Sequence, residues 1–217
     1  MIKKVLTLFI LSLLLIGCGG SKRAAKRKVS VRPSRTTETR TAARNNTPPA
    51  ETTKETERAY VYAPFDKVED YIEHFAPIAK EEMRLYKIPA SITMAQAVLE
   101  SGAGNGNLTK KANNHFGIKC HNWTGDVVYH DDDEKGECFR KYRDPKYSFR
   151  DHSLFLTGRS RYADLFDLEP DDYKGWAHGL RKAGYATDRK YPEKLIAIIE
   201  RYAMYNYDAE VLGTKIK

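Results

Sequence analysis

Glu100 closes the stretch PASITMAQAVLE and is followed at once by Ser101, Gly102, Ala103, Gly104, Asn105 and Gly106. A carboxyl group can hand a proton to a leaving group when its environment holds the pKa near the working pH. Ile92, Ala95 and Leu99 recur at helical spacing, and Met94 and Val98 widen the apolar stripe, so the segment reads as a helix packed on a core. Glu100 then falls at the C-terminal end of that helix. The partial negative charge there and partial burial both disfavour ionisation, which pushes a glutamate pKa upward, as a general acid requires. The glycines at 102, 104 and 106 stop the helix and allow a ligand to approach the backbone closely. From the helix alone, an ordinary helix-end glutamate competes with this reading.

The second group of acids is Asp131, Asp132, Asp133, Glu134 and Glu137, which lies between Cys120 and Cys138. An exported chain meets an oxidising compartment, so a Cys120–Cys138 disulfide is the expectation for these two thiols. It would close the loop around Trp123 and the acidic run and stiffen a small lobe. A zinc site using His121 and His130 competes weakly, because no close cysteine pair exists. A cysteine nucleophile using His115 or His152 competes weakly too, because a paired cysteine cannot attack. Asp131, Asp133 and Gly136 fall at calcium-loop positions, but the twelfth is Tyr142 and not glutamate, so no metal is expected.

The elements that must position these acids are mostly helical. Residues 65–86 form an amphipathic pattern with Val68, Ile72, Phe75, Ile78, Ala79 and Met83 inward, and Pro89 marks a break before the next helix. The segments 123–129 and 138–142, with Gly136 as the turn, read as a hairpin or small sheet. Helical periodicity returns at 148–159, 173–183 and 191–205, with Gly184 as a stop signal. The fold class is mainly α (α+β): a helical body with a small β lobe. Glu100 would sit on one wall of the cleft between them and an acid of the lobe on the other, an arrangement suited to a threaded polymer.

The start of the chain carries a different message. Lys3 and Lys4 precede an apolar run that ends in Leu15-Ile16-Gly17-Cys18, too short for the ~20 residues of a spanning helix and similar to the lipobox of bacterial lipoproteins. The expectation is a signal peptide at 1–17 and lipid attachment at Cys18, so the chain belongs to the cell envelope as a lipid-anchored protein, periplasmic or surface-facing. Residues 18–58 are rich in Lys, Arg, Thr, Ala and Pro and read as a disordered basic tether. Residues 1–58 carry 13 of the 37 basic and 4 of the 29 acidic residues, so that segment is +9 and the remainder −1. The basic character belongs to the tether and suits anionic membrane or wall surfaces, while export argues against nucleic acid. One domain follows at 59–210 with a short tail at 211–217, and its size suits a single core and a monomer. Nothing in it suggests a nucleotide, flavin or haem, and no cofactor is expected.

Several motifs in order, AQAVLESGAGNG, NHFGIK, Trp123-Thr124-Gly125, CFRKYRD with Ser148 and Asp151, RYADL, and KAGYATDRKYPEKLIAIIERY, resemble the glucosaminidases of glycoside hydrolase family 73 over about residues 70 to 208. The resemblance implies a lysozyme-like fold and cleavage of peptidoglycan glycan strands at the β-1,4 bond between N-acetylglucosamine and N-acetylmuramic acid. It places Glu100 as general acid and the second acid in the lobe, where ungapped spacing favours Glu134, with Asp133 next. It makes Tyr185 a cleft tyrosine that could orient the 2-acetamido group. Asn114, Phe116, Gly117 and Ile118 match its groove-lining element, and Trp123 is a candidate sugar platform or lobe core. Ala103, His115 and Arg189 depart from the common tryptophan, leucine and proline at their positions. Acid catalysis by Glu100 is common to retaining, inverting and substrate-assisted routes. A lytic transglycosylase and a non-catalytic wall-binding lipoprotein are the alternatives.

Overall fold

The computed structural model describes residues 60, 62–132 and 134–214. The expected signal peptide, the lipidation site Cys18, the tether, Asp133 and the last three residues lie outside the described residues.

The helices follow in chain order: α1 (Val68–Tyr86), α2 (Ala90–Ser101), α3 (Asn107–Ala112), α4 (Pro145–Thr157), a 3₁₀ segment (Ser160–Asp167), α5 (Tyr173–Lys182), α6 (Tyr191–Arg201) and α7 (Tyr205–Leu212). Between α3 and α4 lies one antiparallel hairpin, β1 (Val127–His130) and β2 (Glu137–Arg140). The folded part therefore runs past residue 210. Among the described residues, no helix is long and apolar enough to cross a membrane.

The centre of the body is α2. Every residue from Ala90 to Val98 is buried, including the polar Ser91, Thr93 and Gln96. The reason is that α1, α5, α6 and α7 all pack on it, so no side is left for solvent. Its polar residues are met by distant partners. Asp208 of α7 accepts from the Ser91 N–H at 2.9 Å and from Ser91 Oγ at 2.5 Å, which places a carboxylate on the orphan donors of the helix start. The Gln96 amide donates to the hydroxyl of Tyr191 on α6 at 3.0 Å. Only Leu99 and Glu100 emerge before Gly102, in the left-handed conformation, ends the helix with its N–H on the Val98 carbonyl.

The glycine-rich turn does not face a ligand as its composition suggests. At Gly104, where φ is +83°, an added Cβ would come within 2.8 Å of the Tyr71 ring, and the Tyr62 hydroxyl donates to the Gly104 carbonyl at 2.8 Å. Glycine is needed there for the turn and for close packing on α1. Ser101 Oγ accepts the Gly104 N–H at 2.8 Å, which explains why serine directly follows Glu100.

Around this core, α1 and α4 are clamped by Arg150, whose Nε donates to both carboxylate oxygens of buried Glu82 at 2.8 and 3.2 Å. The hairpin pairs Val127 with Arg140 and His130 with Glu137. Its base is fixed by the expected Cys120–Cys138 disulfide, across which the Cys120 N–H also donates to the Cys138 carbonyl. Arg140 then ties the lobe to α4 by an ion pair with Asp151 at 2.8 Å, and Tyr142 donates to the same oxygen. With 18 residues of separation, the loop-entropy argument gives the bridge about 3 kcal/mol. A Cys120→Ser/Cys138→Ser double variant is expected to lose that amount in denaturant unfolding, and an unchanged midpoint would contradict it.

Candidate active site

A cleft of about 810 Å³ lies between the helical body and the β lobe. Its floor holds Leu99 and Glu100 from the end of α2; Phe116, Gly117 and Ile118 form one side, and Tyr185, Ala186 and Thr187 another. Asp132 closes it from the hairpin tip. Glu100 is open to solvent on the cleft side and crowded by protein on the others. That crowding raises its pKa by desolvation, a hydrogen bond from Tyr191 lowers it, and the nearby Asp132 charge raises it again, with a net upward shift. A carboxylic acid in this state keeps its proton to higher pH than a free glutamate does.

Tyr191 is a residue that sequence reasoning did not single out. Its hydroxyl sits 3.1 Å from Glu100 Oε1 while accepting from Gln96, and the ring is nearly fully buried. Burial and the Glu100 charge keep the phenol protonated. It therefore donates to Glu100 and helps to fix the carboxyl in the cleft. No local pattern could mark it, because the pair is separated by 91 positions in the chain. Tyr191→Phe is expected to raise the Glu100 pKa further, since it removes a bond that favours the ionised form. The alkaline limb of the pH–rate profile should move to higher pH, and a shift to lower pH would show that the phenol does not donate to the carboxylate.

Tyr185 stands in the cleft wall beside Tyr191, with ring centroids 5.7 Å apart. Burial, and then the neighbouring Tyr191 and Glu100, hold its phenol well above the usual tyrosine range, so it stays protonated and able to donate. Phe116 lies flat on His152, centroids 4.1 Å apart, and that imidazole, pushed down to about 3 by burial, remains neutral and serves as support for the floor.

The acids of the lobe divide by what they do. Asp131 accepts the Gly136 N–H at 2.7 Å and closes the hairpin turn, and Glu137 is engaged by Lys119 at 2.5 Å. Glu134 is exposed and does not line the cleft, and Asp133 is outside the described residues. Among the described residues, Asp132, which ungapped spacing ranks below Glu134 and Asp133, is the lobe carboxylate that lines the cleft and acts on Glu100. A strand of four residues and a six-residue turn leave the facing of each acid to the turn's hydrogen bonds, which spacing does not encode.

Two expected groove residues sit elsewhere. Asn114 is buried, and its amide donates to the Ile118 and Arg140 carbonyls at 3.0 and 2.9 Å while accepting from the Ile118 N–H at 2.9 Å. It positions the Phe116–Ile118 loop against β2 and does not line the groove. Trp123 lies outside the cleft wall, under the Arg140 guanidinium at 5.0 Å and with its N–H on the Asp126 carbonyl at 2.9 Å, so it belongs to the lobe and not to a sugar platform. Ser148 and Asp151 have structural roles: Ser148 Oγ accepts the His115 N–H, and Asp151 holds Arg140 and Tyr142.

Comparison with known proteins is consistent with this arrangement. The exo-glucosaminidase LytG of Bacillus subtilis is 39% identical over 173 residues, which cover 74% of this chain and 58% of that one. The peptidoglycan hydrolase FlgJ of Vibrio parahaemolyticus is 31% identical over 151 residues, 64% of this chain and 49% of that one. The chain thus spans roughly half the length of the curated relatives it matches. Among solved structures, the catalytic domain of the autolysin Auto from Listeria monocytogenes superposes with a TM-score of 0.55 at 28% identity, covering 67% of this chain and 90% of that one. The glycoside hydrolase domain of FlgJ from Salmonella typhimurium gives 0.54 at 27% identity, with 68% and 96% covered. The fold is the lysozyme-like helical body with a β-hairpin lobe expected from the sequence. Residues 76–204 match the Glucosaminidase family, described as mannosyl-glycoprotein endo-beta-N-acetylglucosaminidase, and with more than half of its length in that match the chain belongs to this family.

Proposed function

We propose that this chain is a peptidoglycan hydrolase, an endo-β-N-acetylglucosaminidase that cleaves the β-1,4 bond after N-acetylglucosamine by general acid catalysis from Glu100. The observation that carries the reading is a carboxyl group with a raised pKa on the floor of a two-walled cleft, held by Tyr191 and facing Asp132 across the gap. Glu100 protonates the glycosidic oxygen as the bond breaks. Asp132 supplies negative charge on the other side of the sugar, where it stabilises the developing oxocarbenium ion, directs water or polarises the acetamide. Tyr185 offers a hydroxyl to the 2-acetamido group. Phe116 and Ile118 give the glycan an apolar surface.

Mass spectrometry of digested cell walls tests the reaction class. Hydrolysis after N-acetylglucosamine leaves reducing N-acetylglucosamine ends, a lytic transglycosylase leaves anhydro-muramic ends, and a wall-binding protein releases nothing. Appearance of either of the last two outcomes overturns the proposal. An exo-acting enzyme is the second reading, favoured by the similarity to LytG. Strand length separates the two, because endo cleavage shortens long glycans early and exo cleavage trims them from one end.

Attachment to a bacterial membrane through Cys18, with residues 18–58 as a basic tether and the domain acting as a monomer, completes the proposal. It is supported by the run before Cys18 and by the charge difference between tether and domain. Metabolic labelling with a fatty acid, lost in Cys18→Ser, reads it directly.

A further inference from the structure

Among the described residues, four long-chain cations line the cleft: Lys119, Arg140, Arg159 and Lys194. Three are matched by acids in place: Lys119 by Glu137 at 2.5 Å, Arg140 by Asp151 at 2.8 Å and Lys194 by Asp188 at 2.7 Å. Arg159 differs. Its guanidinium lies over the Phe155 ring at 3.7 Å and donates one N–H to the Phe155 carbonyl at 3.1 Å, and among the described residues it meets no carboxylate within ion-pair distance. The side chain is half-buried, in the cleft wall beside Leu154, which is 48% exposed.

A guanidinium held over an aromatic ring and tied to a backbone carbonyl is oriented before any ligand arrives, and its remaining N–H groups suit a carboxylate. The wall also connects it to the acid. Phe155 meets Tyr185 edge-on at 6.1 Å, Tyr185 adjoins Tyr191, and Tyr191 donates to Glu100. Arg159 therefore lies along the same groove, displaced from the point of cleavage.

We propose that Arg159 is a specificity-determining residue that binds a carboxylate carried by the muramic acid substituent, so that the groove prefers acidic glycan strands over neutral β-1,4 acetamido glycans. This rests on the proposed function, because it takes the glycan in the groove to be peptidoglycan. Two groups carry the needed chemistry: a free carboxylate of the stem peptide, or the lactyl carboxylate exposed when the peptide has been removed. Lys119, Arg140 and Lys194 contribute less because each is already neutralised by its own acid. The Phe155 ring and the exposed Leu154 surface beside Arg159 suit the apolar side chains of a short peptide.

The test measures binding in the Glu100→Gln background, where strands stay intact, to three probes: soluble peptidoglycan strands bearing stem peptides, amidase-stripped strands, and a chitin oligomer. Adding Arg159→Gln is expected to weaken binding to a carboxylate-bearing probe about tenfold, as expected for a lost charge-assisted hydrogen bond, and to shift the chitin oligomer less than twofold. The loss should also shrink at high salt. A loss confined to stem-bearing strands assigns the stem carboxylate, a loss confined to stripped strands assigns the lactyl carboxylate, and Arg159→Lys should restore part of either. Equal weakening on all three probes would make the role structural and overturn the proposal, as would no change on any. Failure of the proposed function is seen separately, as absent wall hydrolysis by the protein with Glu100 intact.

Discussion

Glu100→Gln is expected to lower the release of reducing ends from peptidoglycan by about 10² to 10⁴, the range that a positioned general acid contributes. The amide is nearly the same size and can still accept from the Tyr191 hydroxyl, so the end of α2 and the cleft floor keep their shape. What it lacks is a transferable proton. Thermal unfolding should be close to that of the unsubstituted protein, and binding of glycan should survive. Retention of normal turnover would remove Glu100 from the mechanism. The pH dependence provides an independent reading. The acid works only while protonated, so the rate falls as pH rises through the Glu100 pKa, and burial places that fall above the ordinary glutamate range.

Asp132→Asn is expected to cause the second largest loss, on the order of 10² to 10³, comparable to removing a group that stabilises transition-state charge. Its charge also raises the Glu100 pKa, so the same substitution should move the alkaline limb to lower pH, opposite in sign to Tyr191→Phe. This pair of signs distinguishes a carboxylate that faces the acid from one that merely supports the hairpin. Glu134→Gln is expected to stay near normal because the side chain does not line the cleft. Asp133→Asn completes the series. A collapse in Glu134→Gln with a mild effect in Asp132→Asn would return the second role to the residue that spacing favours.

The helices, the hairpin, the disulfide and the place of Glu100 at a helix end were legible because each leaves a local mark: apolar periodicity, proline and glycine stops, alternating strands, and two cysteines flanking the hairpin. Tyr191 and Asp132 were not legible for a different reason. Tyr191 reaches Glu100 through the packing of α6 on α2, and Asp132 is placed by a turn in which its N–H donates to the Glu134 carbonyl. Neither relation has a signature in residue spacing. Asn114 shows the opposite error. Its motif was visible, yet a buried amide satisfied by three backbone groups positions a loop without lining the groove. The burial of Ser91 and Gln96 inside α2 was not legible either, since their partners lie 117 and 95 positions away.

α2, which carries Glu100 in its last turn, is gripped at its other end by Asp208 of α7. Burial from Ala90 to Val98 makes the span between them a stiff lever, so a slip at the Ser91 fulcrum is transmitted to Glu100 with little loss along the way. A loss-of-function screen will consequently score Ser91 and Asp208 alongside Glu100, although neither touches the groove. α7 is thereby as much a part of the aim of Glu100 as the cleft residues around that carboxyl group.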